Sequence, residues 1–371
     1  MSADFDTLGG AADWFAGWLE QALPLWSTSG FDVSQATFHE ALTQDLAPVP
    51  GERRSRAQTR QCWVYAEAGR LGGPAAYTEL ARTAEAAHEA RYRRGDGLFA
   101  YAADPADGRQ SEKALVYDQA FALLAWATLE RATGRSYRSK AHALRGALAA
   151  QAHPAGGFRE LGQHPFQANA HMHLLEASLA WEEGGDASWR QLSDSIVELA
   201  LTRFIDRGAG VVHEFFDADW LRLPDQAGGL VEPGHLFEWA WLLDRWSRAR
   251  GTSDLRSIGE ALYASGLSGV DRARNAAVGS LWSDLAVREP STRVWPQTEW
   301  LKAALIYGAP DDALAASRGL AGFLQAARPG LWRERMDGDG ARPDGPAPAT
   351  SLYHIMGAVT ALLGASARLR C

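Results

Sequence analysis

The stretch Asn169-Ala-His-Met-His-Leu-Leu-Glu-Ala177 sets an asparagine, two histidines and a glutamate inside an apolar run. Leu174, Ala177, Leu179 and Trp181 carry the run on with helical rather than alternating spacing. On a helix Asn169 and His173 share a face, and Glu176 follows one turn later. His171 and His173 then point about 200° apart and do not readily ligate one ion. Buried polar groups without partners cost roughly 1–3 kcal/mol each, so this face needs either partners or a wet cavity.

Working outward, the same texture recurs. Helical stripes appear in residues 11–26 (Trp14, Trp18, Trp26), at Tyr77–Ala84, at Phe121–Leu129 and at Trp239–Trp246. Runs of alternating β-branched residues are missing, and abundant alanine favours close-packed helices. Gly, Pro and Asp punctuation at 72–74, 104–108, 184–186, 224–229, 308–312 and 338–348 separates the helical patterns. About twelve helices joined by short turns is the simplest account. Polar or aromatic residues from successive clusters, Arg60, Tyr117, His173, His235, Trp295 and His354, lie 57, 56, 62, 60 and 59 residues apart. A helix, a turn, a second helix and a turn use about that many residues. Six such units closed into a ring predict one all-α domain over residues 1–371, an (α/α)6 barrel with inner and outer rings. The open alternative is an α-solenoid.

Composition narrows the function. The 371 residues are 46% apolar and 22% charged, as in ordinary globular proteins, and carry a formal charge of −8. No basic footprint for nucleic acid and no membrane-length apolar run is present. Two cysteines, Cys62 and Cys371, cannot build a disulfide framework. The acidic start MSADFDTLGG lacks a signal-peptide pattern, so a cytoplasmic protein is expected. The 15 tryptophans favour carbohydrate contact, although most are expected in helix-packing cores.

The chemistry sits in the polar clusters. His235 and Glu238, and Trp295 and Glu299, are again helical neighbours. Pro233-Gly234 marks a helix start, whose positive end disfavours an imidazolium at His235. A neutral His235 and His354 in one cavity would suit proton transfer near neutrality. Arg60 is expected to stabilise oxyanion charge, with a salt bridge to Glu67 as the alternative, and Trp295 to stack on substrate. His235 and Glu238, joined by His173 and His354, are the residues a metal would use, but no metal or cofactor is expected. The run Arg53, Arg54 and Arg56 reads as a solvated helix face or, alternatively, a sugar-phosphate clamp. Phosphate-loop, dinucleotide and serine-nucleophile motifs are missing.

Six segments in order carry a resemblance: Arg60-Gln-Cys-Trp63, Val116-Tyr-Asp-Gln-Ala-Phe121, Asn169–Ala177, Glu232-Pro-Gly-His-Leu-Phe-Glu-Trp239, Arg293-Val-Trp-Pro-Gln-Thr-Glu299 and Tyr353-His354. Together they resemble the N-acylglucosamine 2-epimerase superfamily nearly end to end. The resemblance implies an (α/α)6 barrel acting on monosaccharides without metal. It implies His235 and His354 as the proton-transfer pair and His173 as a catalytic histidine at the sugar oxygens. It also implies Arg60, Tyr117, Asn169, Glu238, Trp295 and Glu299 as substrate contacts. Thr350 departs from the pattern, because some isomerases carry a larger amide there.

The expected activity is aldose–ketose isomerisation of a mannose-type sugar through an enediolate. A compact chain with short interhelical segments suits a monosaccharide. A sugar 2-epimerase is the first alternative. A glycoside hydrolase using Glu238 and Glu299 as its carboxylate pair is the second, and a non-catalytic sugar-binding solenoid the third. The chain is expected to act as a monomer or homodimer, without nucleic-acid or membrane partners.

Overall fold

The computed structural model describes residues 4–370. Among them twelve α-helices follow in order: α1 (Leu8–Thr28), α2 (Ser55–Arg70), α3 (Ala75–Tyr92), α4 (Val116–Thr133), α5 (Arg138–Leu148), α6 (Ala168–Glu183), α7 (Arg190–Leu199), α8 (Pro233–Arg250), α9 (Arg256–Ser268), α10 (Val294–Tyr307), α11 (Pro310–Leu324) and α12 (Ala349–Arg370). The even helices pack in sequence, α2 on α4, α4 on α6, and so on to α12, which closes back onto α2. The odd helices lie outside, α3 to α11 each against the preceding inner helix and α1 against α12 and α11. This is the (α/α)6 barrel. None of the described helices is long and apolar enough to cross a membrane.

Side-chain chemistry sorts the two rings. In α4 nearly every residue from Val116 to Leu129 is buried, and α6 is buried from Ala170 to Trp181. A helix apolar on all sides belongs between other helices. The outer helices bury one stripe each, such as Ala141, Leu144 and Leu148 of α5. Most tryptophans serve this packing: Trp26, Trp126, Trp181, Trp239 and Trp332 are fully buried. Trp26 stacks on Trp332 at 5.1 Å and donates its indole N–H to the Gly330 carbonyl. Cys62 is a buried free thiol, while Cys371 lies outside the described residues.

The connections differ from the expected uniform short turns. Inner-to-outer links are short, as at 71–74, 134–137 and 308–309. Outer-to-inner links are long, as at 93–115, 205–232 and 269–293, and fold into two- and three-residue antiparallel strands. Only the long links lead into the N-termini of the inner helices, so they gather at one mouth of the barrel.

Three glutamines fix these links by one repeated device. Gln58, Gln119 and Gln297 each occupy the fourth position of an inner helix. Each side-chain amide accepts from the backbone N–H and donates to the carbonyl of a residue 20 positions earlier. Those residues are Phe38, Phe99 and Ala277, with all six distances between 2.7 and 3.0 Å. Glu160 caps α4 by accepting from Val116 and Tyr117 N–H, both at 3.0 Å. Gln61 ties α2 to α12 across the ring closure by donating to the Ala349 carbonyl at 2.6 Å.

Candidate active site

The inner helices put equivalent positions at one depth. The sixth residues of α2, α4, α6, α8, α10 and α12 are Arg60, Phe121, His173, Glu238, Glu299 and His354. One turn nearer the mouth stand Tyr117, Asn169 and Trp295. The approximately 59-residue spacing is therefore the repeat of the inner-helix N-termini. Arg60, Tyr117, Asn169, His173, His235, Glu238, Trp295 and His354 all line one axial cavity of about 390 Å³. Glu299 does not. It is fully buried behind His354 and accepts from its Nδ1–H at 3.0 Å. The expected substrate contact is thus placed as a support for His354.

The two histidines of the pair differ in protonation. Burial opposes protonation of His235, but Glu214 and Glu232 outweigh it and push its pKa up to about 10. His235 Nδ1–H donates to Glu214 Oε1 at 2.8 Å, and Glu232 Oε2 lies 3.5 Å away. The helix N-terminus alone favours a neutral ring; two buried carboxylates reverse that expectation. His354 lies well below the ordinary range through burial and the nearby Arg60 and Lys302 charges, so it is neutral. Trp295 lies close to both, its ring centre 5.0 Å from His235 and 5.9 Å from His354. Gly234 makes this possible, because a Cβ there would fall 2.4 Å from the Trp295 ring.

A charged floor supports the pocket. Lys302, fully buried, ion-pairs with Glu299 and lies 3.9 Å from the Trp241 ring centre. Burial opposes its charge, yet the carboxylates of Glu299 and Glu176 raise its pKa. His173 is lowered to about 4 by burial, against the pull of Glu176 at 3.3 Å. Tyr353 donates its hydroxyl to the same Glu176 oxygen. Glu238 is raised well above the carboxylate range by burial and by Glu299, so it is a neutral acid. Neither of its buried oxygens has a hydrogen-bond partner. Arg60 donates to Tyr117 Oη at 2.6 Å and to the Thr350 carbonyl at 3.3 Å. It does not pair with Glu67, which binds Arg70 instead.

His173, Glu176 and Glu238 each offer one donor atom within 4.8 Å of the others, the only such group among the described residues. Glu176 is already engaged by Tyr353 and His173. The charges of Arg60 and Lys302 act on the same residues and oppose a dication. His171, by contrast, faces away from the cavity. Its Nδ1–H donates to the Gln167 carbonyl and its Nε2 accepts from Phe158 N–H. The arginine run is ion-paired rather than a simply solvated face, and Arg54 also lines the axial cavity. Arg53 pairs with Asp32, Arg54 with Glu40, and Arg56 with the buried Asp118.

Sequence reasoning missed Glu214 and Lys302. Glu214 stands in a loop beside the strand Phe215–Phe216, where no helical period marks it. Lys302 follows Glu299 by three residues, a spacing that exposed helix surfaces also use.

Fold and site together define a sugar isomerase or epimerase of the (α/α)6-barrel class. The chain belongs to the N-acylglucosamine 2-epimerase (GlcNAc 2-epimerase) family, which residues 37–358 match. It is 40% identical over 366 residues to the mannose-6-phosphate isomerase of Rhizobium meliloti (strain 1021), covering 93% of this chain and 94% of that one. Its fold matches the cellobiose 2-epimerase of Spirochaeta thermophila DSM 6192 with a TM-score of 0.86, at 20% identity over 98% of both chains. A D-mannose isomerase structure gives 0.85 at 18% identity, over 95% of this chain and 97% of that one.

Proposed function

We propose that the protein is an aldose–ketose isomerase that interconverts a mannose-type aldose and a fructose-type ketose without a metal ion. The observation that carries this is a neutral His354 and a protonated His235 on the wall of one cavity, each fixed by its own carboxylate. The 40% identical relative named as a mannose-6-phosphate isomerase supports the direction of the chemistry.

In this reading His354 Nε2 removes the C2 proton of the open-chain aldose. The C–H electron pair becomes the C1=C2 bond, and the carbonyl pair moves to O1, which takes a proton from His235. The resulting cis-enediol collapses as His235 accepts the O2 proton, C2=O2 forms, and His354 returns its proton to C1. Both histidines end as they began. Arg60 and the neutral Glu238 supply donors to the charge that builds on oxygen. His173, Tyr117 and Asn169 hold sugar hydroxyls, and Trp295 covers a sugar face.

One observation favours a 2-epimerase as the second reading. Both histidines lie close to Trp295 in one cavity, so a cationic His235 is at hand to return a proton to C2. NMR of the chelator-treated enzyme with mannose in D₂O separates the two. Isomerisation predicts fructose as the main product, with deuterium at C1 wherever the carried proton exchanges. Glucose deuterated at C2 with little fructose means epimerisation. Activity lost to chelation and restored by a divalent ion overturns metal independence.

A further inference from the structure

The loops that follow α7, α9 and α11 line an open side cavity of about 290 Å³, which shares Glu232, Arg293 and Arg335 with the axial cavity. Arg293 and Arg335 are register partners in the antiparallel pair formed by Thr292–Arg293 and Arg335–Met336. Like charges placed directly opposite on a two-stranded pair repel. A third guanidinium, Arg288, lines the same space and lies 4.9 Å from the Trp282 ring centre. Among the described residues none of the three forms an ion pair, whereas Arg274 nearby is held by Asp271. The carboxylates on this wall feel these charges, Glu232 from Arg293 and Arg288 and Glu289 from Arg288, but their close contacts are to other groups. Glu232 faces His235 at 3.5 Å, and Glu289 accepts from Ser291 N–H at 3.0 Å.

A second, independent observation points to a ligand. Ser280 lines this cavity and is only 5% exposed, yet its hydroxyl has no hydrogen-bond partner. A buried hydroxyl left unpaired calls for an explanation. Three guanidinium groups and a free hydroxyl form the donor set that a tetrahedral oxyanion takes.

We propose that the side cavity holds the phosphate of a phosphorylated hexose whose reacting carbons lie in the axial cavity. Arg288, Arg293, Arg335 and Ser280 are its donors. The substrate class is then a hexose phosphate substituted at the end of the chain away from the carbonyl. This inference rests on the isomerase reading above.

The test compares kcat/KM for mannose and mannose 6-phosphate in the wild type and in Arg288→Gln, Arg335→Gln and Ser280→Ala. The wild type is expected to prefer the phosphorylated sugar. Each arginine variant should reduce that preference about tenfold or more, chiefly through KM, since charged hydrogen bonds are the strong ones. Ser280→Ala should reduce it less. A wild type that turns over mannose at least as well as its phosphate, or variants that leave the ratio unchanged, overturns the phosphate site while the isomerase reading stands. If neither sugar reacts, the isomerase reading fails. Calorimetric titration with inorganic phosphate then decides the site alone. Binding that Arg335→Gln abolishes supports it, and no binding to the wild type overturns it.

Discussion

At the scale of single residues, the pair His235 and His354 takes its protonation states from its neighbours rather than from position along the helix. Both rings donate Nδ1–H to a buried carboxylate, which leaves Nε2 as the working atom. The environments then diverge: Glu214 and Glu232 charge one ring, while Arg60 and Lys302 keep the other neutral. Activity is therefore expected to be bell-shaped in pH. The acidic limb belongs to His354, below the ordinary imidazole range, and the basic limb to His235 near pH 10. Glu214→Gln removes one carboxylate, so the basic limb should move to lower pH while the acidic limb holds. A pH–rate profile of that variant checks this; an unmoved basic limb assigns the limb to another group. The same coupling affects stability. His235 is raised above its unfolded value, so its contribution is full below about pH 6.5 and fades as pH rises through about 10. Measured by denaturant unfolding, Glu214→Gln should cost stability at neutral pH and progressively less above pH 10.

The polar groups of the inner helices were legible in sequence because they interrupt strongly apolar periods; Asn169, His173, His235 and His354 stood out for that reason. Glu299 was legible as important but not as hidden, because helical spacing gives the face of a residue and not its depth. The charge of His235 was not legible at all. It depends on Glu214, which is 21 residues away along the chain and on a loop.

At the scale of elements, the glutamine clasps decide how the site loops are held. Gln58, Gln119 and Gln297 share a helix position and a reach of 20 residues, a signal present in the sequence but invisible without knowing the partner backbone. Gln119→Leu would leave the Phe99 N–H and carbonyl without these bonds in a buried setting. The expected cost is about 1–3 kcal/mol for each group left unpaired. Denaturant unfolding measures the total, and amide exchange at Phe99 should accelerate. A change within a few tenths of a kcal/mol would mean that the clasp is dispensable. The expectation of uniformly short turns failed here. Gly, Pro and Asp mark the start of a link but not its length, and half the links are long because they build the mouth of the site.

At the scale of the whole molecule, the barrel brings together residues that no local segment unites. His173, His235, Trp295 and His354 come from four different inner helices, and Arg60 from a fifth. The closure of α12 onto α2 sets Arg60 beside Thr350 and Tyr353, across nearly the length of the chain. This architecture was readable from the approximately 59-residue period, because repeats that close on themselves return equivalent positions to the axis. The side cavity with Arg288, Arg293 and Arg335 was not readable, since it arises where three long loops meet. The account as a whole stands on His354 as the base that takes the C2 proton. The most direct measurement is washout of C2 deuterium from labelled substrate by the wild type and by His354→Ala, with circular dichroism confirming the fold of both. The account predicts that washout and turnover fall about 10²–10⁴-fold in the folded variant. Washout at the wild-type rate in folded His354→Ala would contradict it.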